Sequence, residues 1–407
     1  MFETMLRSLR SARMTTFAYF ALNGVVLGLW VVHIPAIEHR AGISHATLGW
    51  LLLLLGGGAF AGMQVAGPLT DRFGARRVVP LSGALLSASL ILPSLATNAW
   101  TLAAALLVFG IGNGCLDVSM NAHAVQVEAA YQRPVMSAFH ALFSVGGVLA
   151  ALLGARTLSW GWSPATTLTA VSVLGLAATL VSASSLLPPQ QPATTPEHSA
   201  RPSVRQPVPR RIWALAALAL MLMLSEGVAA DWSALAMRDV LGTSAATAAF
   251  AYGAFATAMT AGRFLTDRVA ARFGPVSIVR YGSVIAAAAM TLIVVSPTVP
   301  GAVLGWALFG IGLSGSVPQL FSAAGHTDPA GAATNMSRVV GLGYVGMLAG
   351  PAVIGALTHL MPLNHTFLLP VVFCLTAAIA APILKPAQPR PGDRATAAVQ
   401  AVSQPVG

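Results

Sequence analysis

The chain alternates between long apolar runs and short polar connections. The runs lie near residues 14–37, 46–67, 78–98, 100–127, 133–157 and 164–187, and again near 212–237, 244–266, 277–297, 300–324, 332–358 and 365–385. Each run is near or above the roughly 20 residues that a helix needs to cross a bilayer. Backbone polar groups find no water in hydrocarbon, and these runs are continuous rather than alternating. The pattern therefore predicts an all-α integral membrane fold with twelve transmembrane helices, here called spans 1 to 12.

Composition and charge support the same interpretation. The chain is 56% hydrophobic and 8% charged, whereas soluble domains carry about 25% charged residues. If both termini lie on one side, Arg40, Arg156 and Arg238 are the three of 22 Lys and Arg residues on the other side. Cytoplasmic segments are rich in Lys and Arg, so we expect both termini in the cytoplasm and a bacterial inner membrane location. The net charge of +10 then reflects topology, with a lipid bilayer and no nucleic acid as partner. This assignment groups Arg263 with the cytoplasmic arginines.

A duplicated sequence motif divides the chain into two halves. Gly67-Pro-Leu-Thr-Asp71-Arg72-Phe-Gly74-Ala-Arg76-Arg77 recurs in reduced form as Gly262-Arg-Phe-Leu-Thr-Asp267-Arg268. Such duplication is typical of transporters with pseudo-symmetric halves. We predict six-helix halves at residues 1–187 and 212–385, joined by a polar, proline-rich cytoplasmic linker at 188–211. Residues 386–407 are expected to form a disordered cytoplasmic tail.

The first copy of this motif resembles the hallmark G-x-L-x-D-R-x-G-x-R-R of the major facilitator superfamily. The second copy falls where members of that family carry a second copy of the hallmark. The resemblance implies the major facilitator fold. A narrower similarity, at Gly114-Cys-Leu-Asp117 and in the stretch from Arg133 to Gly147, links the chain to the fucose:proton symporters. It is closer still to the rhizopine-locus membrane protein and its uncharacterised inner-membrane relatives. By this resemblance Asp117 takes the place of a carboxylate linked to sugar and proton handling, but Val31 stands where the symporters have a carboxylate.

The motif itself has a physical interpretation. Asp71 can accept hydrogen bonds from a neighbouring helix N-terminus or pair with an arginine, and Gly74 permits a tight turn. Such a contact would latch the two halves together on the cytoplasmic side; alternatively, the arginines merely fix topology. In the second copy Gly274 comes four residues later than the first copy predicts, so we expect any latch to depend more on Asp71 than on Asp267.

Carboxylates inside a bilayer are costly, so Asp117, Glu226 and Asp231 are candidate functional residues. In span 4, an arc of about 60 to 80° holds the polar residues Asn113, Asp117, Asn121 and Glu128. This polar face predicts either the wall of a solute cavity or a buried network that holds neighbouring helices.

The remaining candidates lie in spans 1, 5 and 7. Asn23-Gly24 and Glu226-Gly227 occupy corresponding places in the repeat, so Asn23 and Glu226 are expected to face each other across the solute path. Glu226 either exchanges protons or forms a packing hydrogen bond. Asp231 is functional or interfacial, His140 relays protons or packs, and Arg338 reaches the cytoplasm or pairs inside.

Together these features predict a monomeric secondary active transporter that works by alternating access. The expected cargo is a small polar organic solute (a sugar, polyol or amino-sugar), moved with protons. Proton-driven efflux of drugs or metabolites and a transporter-derived sensor are the alternatives. We find no zinc-protease motif and no phosphate-binding loop, so we expect neither enzyme activity nor a cofactor or metal.

Overall fold

The structure is a computed structural model that describes residues 2–188, 208–328 and 331–385. In the first half, span 1 is the helix Phe2–Ala41, span 2 is His45–Phe73, span 3 is Ala75–Ser89 with the short helix Leu92–Leu95, span 4 is Ala99–Tyr131, span 5 is Met136–Ser159, and span 6 is Pro164–Ser182 followed by the 3-10 turn Ala183–Ser185. In the second half, span 7 is Arg210–Leu241, span 8 is Ala245–Phe273, span 9 is Pro275–Val295, span 10 is Val299–Leu313 with Ser316–Gly325, span 11 is Ala332–Leu357, and span 12 is Leu363–Thr366, Leu368–Ala380 and the 3-10 turn Ala381–Leu384.

The predicted all-α membrane fold is confirmed. Ten of the spans are long and apolar enough by composition to cross a membrane, and spans 8 and 11 complete the twelve. The described residues contain no β-strand. Residues 189–207 of the predicted linker and the whole predicted tail, 386–407, lie outside the described residues.

The two halves repeat each other in detail at an offset of 200 residues. Spans 2 and 8 are both 29 residues long and end at glycines with positive φ, 83° at Gly74 and 80° at Gly274. Their first turns are capped alike, because the Ser44 and Ser244 hydroxyls each accept the backbone N–H three residues later. The same local chemistry therefore sets both ends of both helices.

Glycines bring equivalent pairs of helices into contact in each half. A Cβ on Gly146 of span 5 would lie 2.4 Å from the Ala21 carbonyl oxygen of span 1, and one on Gly346 of span 11 would lie 2.2 Å from the Leu220 oxygen of span 7. A side chain cannot fit at such distances, so these glycines serve close helix packing. Gly147 is different, since nothing lies within 4 Å of its Cβ position.

The halves meet through two equivalent pairs of spans. Span 2 packs against span 11, and span 5 packs against span 8. Elsewhere the outer surface exposes large apolar side chains such as Trp100 and Leu180, as a lipid-facing surface does. We use "motif side" for the end of the bundle that carries the turns at Gly74 and Gly274.

Candidate functional site

On the motif side, Asp71 joins the end of span 2 to the start of span 11. Its two carboxylate oxygens accept the backbone N–H groups of Ala333 and Thr334 at 2.9 and 2.8 Å, and the Thr334 hydroxyl donates to it as well. Span 11 begins at Ala332, so these N–H groups belong to its unpaired first turn. A carboxylate there satisfies the N–H groups and complements the helix dipole.

A second carboxylate contact joins span 8 to the start of span 5. Asp267 accepts the backbone N–H groups of Ser137 at 3.0 Å and Ala138 at 2.7 Å. The N–H groups of the two preceding residues, Val135 and Met136, both donate to Glu128 of span 4 at 3.0 Å. Two carboxylates from different halves therefore occupy one helix N-terminus.

Glu128 also contacts the other half, because the Ser322 hydroxyl of span 10 donates to it. The sequence places Glu128 on the polar face of span 4, but its position at the start of span 5 follows only from how spans 4, 5 and 10 pack. We call the contacts of Asp71 with span 11 and of Asp267 with span 5 the two latches.

The two latches lie at different depths. The helix ends match at Arg72-Phe73-Gly74 and Arg272-Phe273-Gly274, so Asp267 corresponds to Gly67 and lies one turn, about 6 Å, further from the helix end than Asp71. Span 5 also begins one turn later than span 11 relative to the repeat. Both partners of the second latch are therefore displaced by one turn, and the contact is complete despite the reduced motif.

The other residues of the duplicated motif have separate roles. Gly67 and Gly262 lie where side chains do not fit, with Cβ positions 2.7 and 2.5 Å from the hydroxyls of Ser337 and Ser314. Within the described part of the chain, no ion pair or hydrogen bond joins the arginines of the two motif copies to either latch carboxylate. The Arg72 guanidinium lies over the Phe73 ring at 5.1 Å and Arg76 donates to the Ser184 carbonyl at 3.3 Å, while Arg77 and Arg268 are exposed.

Deeper in the protein, the polar face of span 4 forms a short hydrogen-bonded chain with span 5. The Asn121 amide donates to Asp117 Oδ1 at 3.1 Å, and its oxygen lies 3.2 Å from His140 Nε2. The His140 ring lies between Phe20 at 5.1 Å and Phe321 at 5.9 Å. The chain thus connects a buried carboxylate to an imidazole that contacts both halves.

Arg263 forms a second polar cluster that connects the halves. Its guanidinium lies 3.4 Å from Glu226 Oε1 of span 7 and donates at 2.8 Å to the Ser144 hydroxyl of span 5. The side chains of Arg263 and Glu226 are 12% and 18% exposed, so the pair is largely shielded from solvent.

Arg263 lies deeper than the cytoplasmic edge where the charge pattern predicts it, so that prediction is wrong for this residue. It lies ten residues, about 15 Å, before the end of span 8 at Phe273, because the pairing with Glu226 stabilises a charge at that depth. An arginine inside an apolar run was the signal in the sequence that could have identified it.

Between the halves, on the side opposite the latches, lies a cavity of about 690 Å³. It is lined by spans 2, 4, 7 and 11, at Gly49, Leu52, Leu53, Leu55, Gly56, Ala59, Asn113, Gly227, Ala230, Asp231, Trp232, Leu235, Tyr344, Met347, Leu348 and Ala352. The Tyr344 hydroxyl lies next to Asp117 and Asn113. The cavity therefore ends at the polar face of span 4, and Asp231 is part of its lining.

Two candidates from the sequence lie apart from this cavity. Asn23 of span 1 is buried, and no hydrogen-bond partner for its side-chain oxygen exists among the described residues. The structure thus gives no contact that joins Asn23 to Glu226. Arg338 donates to the Asn335 side chain of its own span at 2.7 Å. No group of three or more potential metal ligands occurs in the described part of the chain.

Relatives and solved structures agree with this architecture. The chain is 36% identical to an uncharacterised MFS-type transporter of Yersinia pestis, over 91% of this chain and 95% of that protein. It is 29% identical to the membrane protein MosC of Rhizobium meliloti, with 89% and 87% covered, and 25% identical to a gentisate transporter of Corynebacterium glutamicum, with 86% and 81% covered.

The fold is that of FucP, the fucose:proton symporter of E. coli. Its structure in the outward conformation superposes with a TM-score of 0.76 at 16% sequence identity, over 92% of this chain and 98% of that one. The family model described as Major Facilitator Superfamily matches residues 14–342 and 232–406. The chain therefore belongs to the major facilitator superfamily.

Proposed function

We propose that this transporter moves a small polar organic solute of the sugar, polyol or amino-sugar class by alternating access, coupled to protons. The observation that carries the proposal is the position of two polar clusters, Asp117 with Asn121 and His140, and Glu226 with Arg263, next to a cavity between the halves. A shielded carboxylate that can be reached from a hydrated cavity can take up and release a proton. The structural neighbour FucP, a fucose:proton symporter, supports a polar solute by resemblance, and the gentisate transporter makes an aromatic acid the competing cargo.

The latches determine which side opens in this proposal. Both latches and the Arg263 contact with Ser144 join the halves on the motif side or in the middle, while the cavity lies on the opposite side. If the motif side faces the cytoplasm, as the positive-inside rule predicts, this conformation is open to the outside. Opening to the cytoplasm then requires spans 2 and 11, and spans 5 and 8, to separate and both latches to break.

Arg263 links this movement to the proton. Its guanidinium has one partner in each half, Ser144 and Glu226. When span 5 moves away from span 8, Arg263 loses Ser144 and depends on Glu226 alone. A proton on Glu226 weakens that remaining contact, so we infer that the charge of Glu226 influences how easily the halves separate.

Uptake into right-side-out membrane vesicles tests the proposal. Radiolabelled L-fucose, D-xylose and D-glucosamine serve as probes under an imposed inward proton gradient. We expect at least one probe to accumulate, a protonophore to abolish accumulation, and Asp117→Asn or Glu226→Gln to leave exchange without accumulation. Asp239→Asn is the matched control, because Asp239 is an exposed carboxylate of span 7 that does not line the cavity. Gradient-driven accumulation that persists in both variants would overturn the proton role.

A further inference from the structure

The charges around the cavity are unbalanced. Its lining includes the carboxylate of Asp231 and no Lys, Arg or His among the described residues. Asp117 and Glu226 add two more carboxylates nearby, and the neighbouring cation, Arg263, is already bonded to Glu226 and Ser144. The cavity therefore offers negative charge to whatever enters it and has no free cation to receive an anion.

Asp231 itself is unpaired. It is exposed to the cavity, and no side chain of the described residues forms a hydrogen bond or ion pair with it. A carboxylate within the span of a membrane protein is costly unless water or a cation accompanies it. Asp231 is thus available to a cationic group of a solute.

Buried acceptors without partners supply an independent observation. Asn113 Oδ1 and Asp117 Oδ2 are both buried, in residues that are 3% and 5% exposed, and among the described residues they have no donor apart from the neighbouring Tyr344 hydroxyl. The Tyr344 hydroxyl lies beside both but has one proton to donate, so it can satisfy one of them at most. At least one acceptor at the end of the cavity therefore requires a donor from the solute or from water.

Aromatic side chains accompany these carboxylates. Trp232 lines the cavity beside Asp231, and Tyr252 of span 8 lies close enough to Asp231 and Glu226 to interact electrostatically. Aromatic faces attract organic cations, and the Trp232 indole N–H is buried without a partner among the described residues. The site thus combines cation recognition with polar groups that suit hydroxyls.

We propose that the solute carries a protonated amine on a polyhydroxylated skeleton, that is, an amino-sugar or an amino-polyol. The ammonium group binds Asp231, and another N–H or O–H donor of the solute reaches Asn113 at the end of the cavity. The cavity volume of about 690 Å³ lies within the usual range for small-molecule sites. This inference rests on the proposed transport function and narrows its substrate class.

Matched ligand sets test the inference by thermal unfolding of the purified full-length protein. Each set has one carbon skeleton with an amine, a hydroxyl, an N-acetyl group or a carboxylate: D-glucosamine, D-glucose, N-acetylglucosamine and D-glucuronate, with the corresponding galactose and inositol series. Ligand that binds the folded state raises the melting temperature. We expect the amines to raise it and the other three classes to have little effect.

Two variants locate the binding group. Asp231→Asn keeps the size of an exposed side chain and removes its charge, so it should fold normally and weaken the apparent affinity for the amines about tenfold or more. Asp239→Asn, two turns further along the same span, should bind like the wild type. Amines that bind Asp231→Asn as tightly as the wild type would overturn the assignment of Asp231.

The outcomes also separate this inference from the proposed function. Neutral or acidic members that stabilise the protein as well as the amines overturn the amine inference, and so does a failure of every amine to stabilise it. If such a neutral or acidic compound is nevertheless accumulated under a proton gradient, proton-coupled transport stands and only the amine inference fails. Amine binding without any gradient-driven movement overturns the proposed function instead.

Discussion

Replacing Asp267 with Asn should open the motif side more than replacing Asp71 does. Asp267 is half-buried and accepts two N–H groups at the start of span 5, at 3.0 and 2.7 Å, whereas Asp71 is exposed at the start of span 11. Asn removes the charge and keeps one acceptor oxygen. One of the two N–H groups therefore loses its hydrogen-bond partner, and the other keeps a partner that is now neutral instead of charged. Charged hydrogen bonds contribute about 1.5–3 kcal/mol, and a carboxylate at a partly buried helix N-terminus up to about 2 kcal/mol.

These contributions overlap, so we expect Asp267→Asn to weaken the closed state by about 2 kcal/mol, which shifts the equilibrium about thirtyfold toward opening. For Asp71→Asn, water replaces the lost interaction at an exposed site, and we expect about 0.5–1 kcal/mol, or a two- to fivefold shift. The sequence, in which only the first motif is complete, predicts the larger effect for Asp71→Asn. The burial of the two carboxylates predicts the larger effect for Asp267→Asn.

A buried reporter cysteine between the halves can measure the shift. Val125 of span 4 is 5% exposed and packs against Gly325 of span 10, so a cysteine there should react with a maleimide only when the motif side opens. The natural Cys115 and Cys374 are replaced by alanine first, and Asp239→Asn serves as the charge control. When opening is fast relative to labelling, the labelling rate follows the open population. Equal rates for the two latch variants, or faster labelling for Asp71→Asn, would refute the argument from burial.

Three further predictions concern packing, pairing and topology. Gly146→Ala should lower the melting temperature of the purified protein by an amount that corresponds to about 1–3 kcal/mol, because its Cβ would lie 2.4 Å from a carbonyl oxygen; Gly147→Ala, where the space is open, should not. Arg263→Ala should destabilise the protein by about 1–3 kcal/mol by leaving Glu226 shielded without a partner, and adding Glu226→Gln should recover part of the melting temperature; a double variant no more stable than the single one would contradict this. Thr97→Cys, exposed in the turn before span 4 opposite the motif side, should react with a membrane-impermeant maleimide added to intact cells; protection from it would reverse the predicted orientation.

Much of the architecture follows from the sequence, for reasons that are local. Apolar runs of membrane-crossing length predict the spans, and turn glycines such as Gly74 and serine caps such as Ser44 determine where helices end. The polar face of span 4 is also local, because the 100° helical repeat alone aligns Asn113, Asp117 and Asn121. In the structure the Asn121 amide donates a hydrogen bond to Asp117, and Asn113 lines the cavity.

The contacts of that face could not be predicted in the same way. His140 reaches Asn121 because span 5 packs beside span 4. No local feature of the sequence determines how close these two helices lie. The sequence also suggested that Asn23 faces Glu226, since the two occupy equivalent places in the repeat. Glu226 instead pairs with Arg263, and Asn23 is buried without a contact to Glu226.

By itself, the sequence determined the membrane class, the duplicated halves and the identity of most polar candidates, because hydrophobic length, repeats and helical periodicity are properties of contiguous residues. Tertiary structure decided which of these residues meet. The one-turn displacement of Asp267 matches that of the start of span 5, so the reduced motif still forms a latch across the halves. Arg263 is kept deep in span 8 by partners 37 and 119 residues away along the chain. Such pairings depend on which helix faces turn toward one another, and that is determined only when all twelve spans pack together.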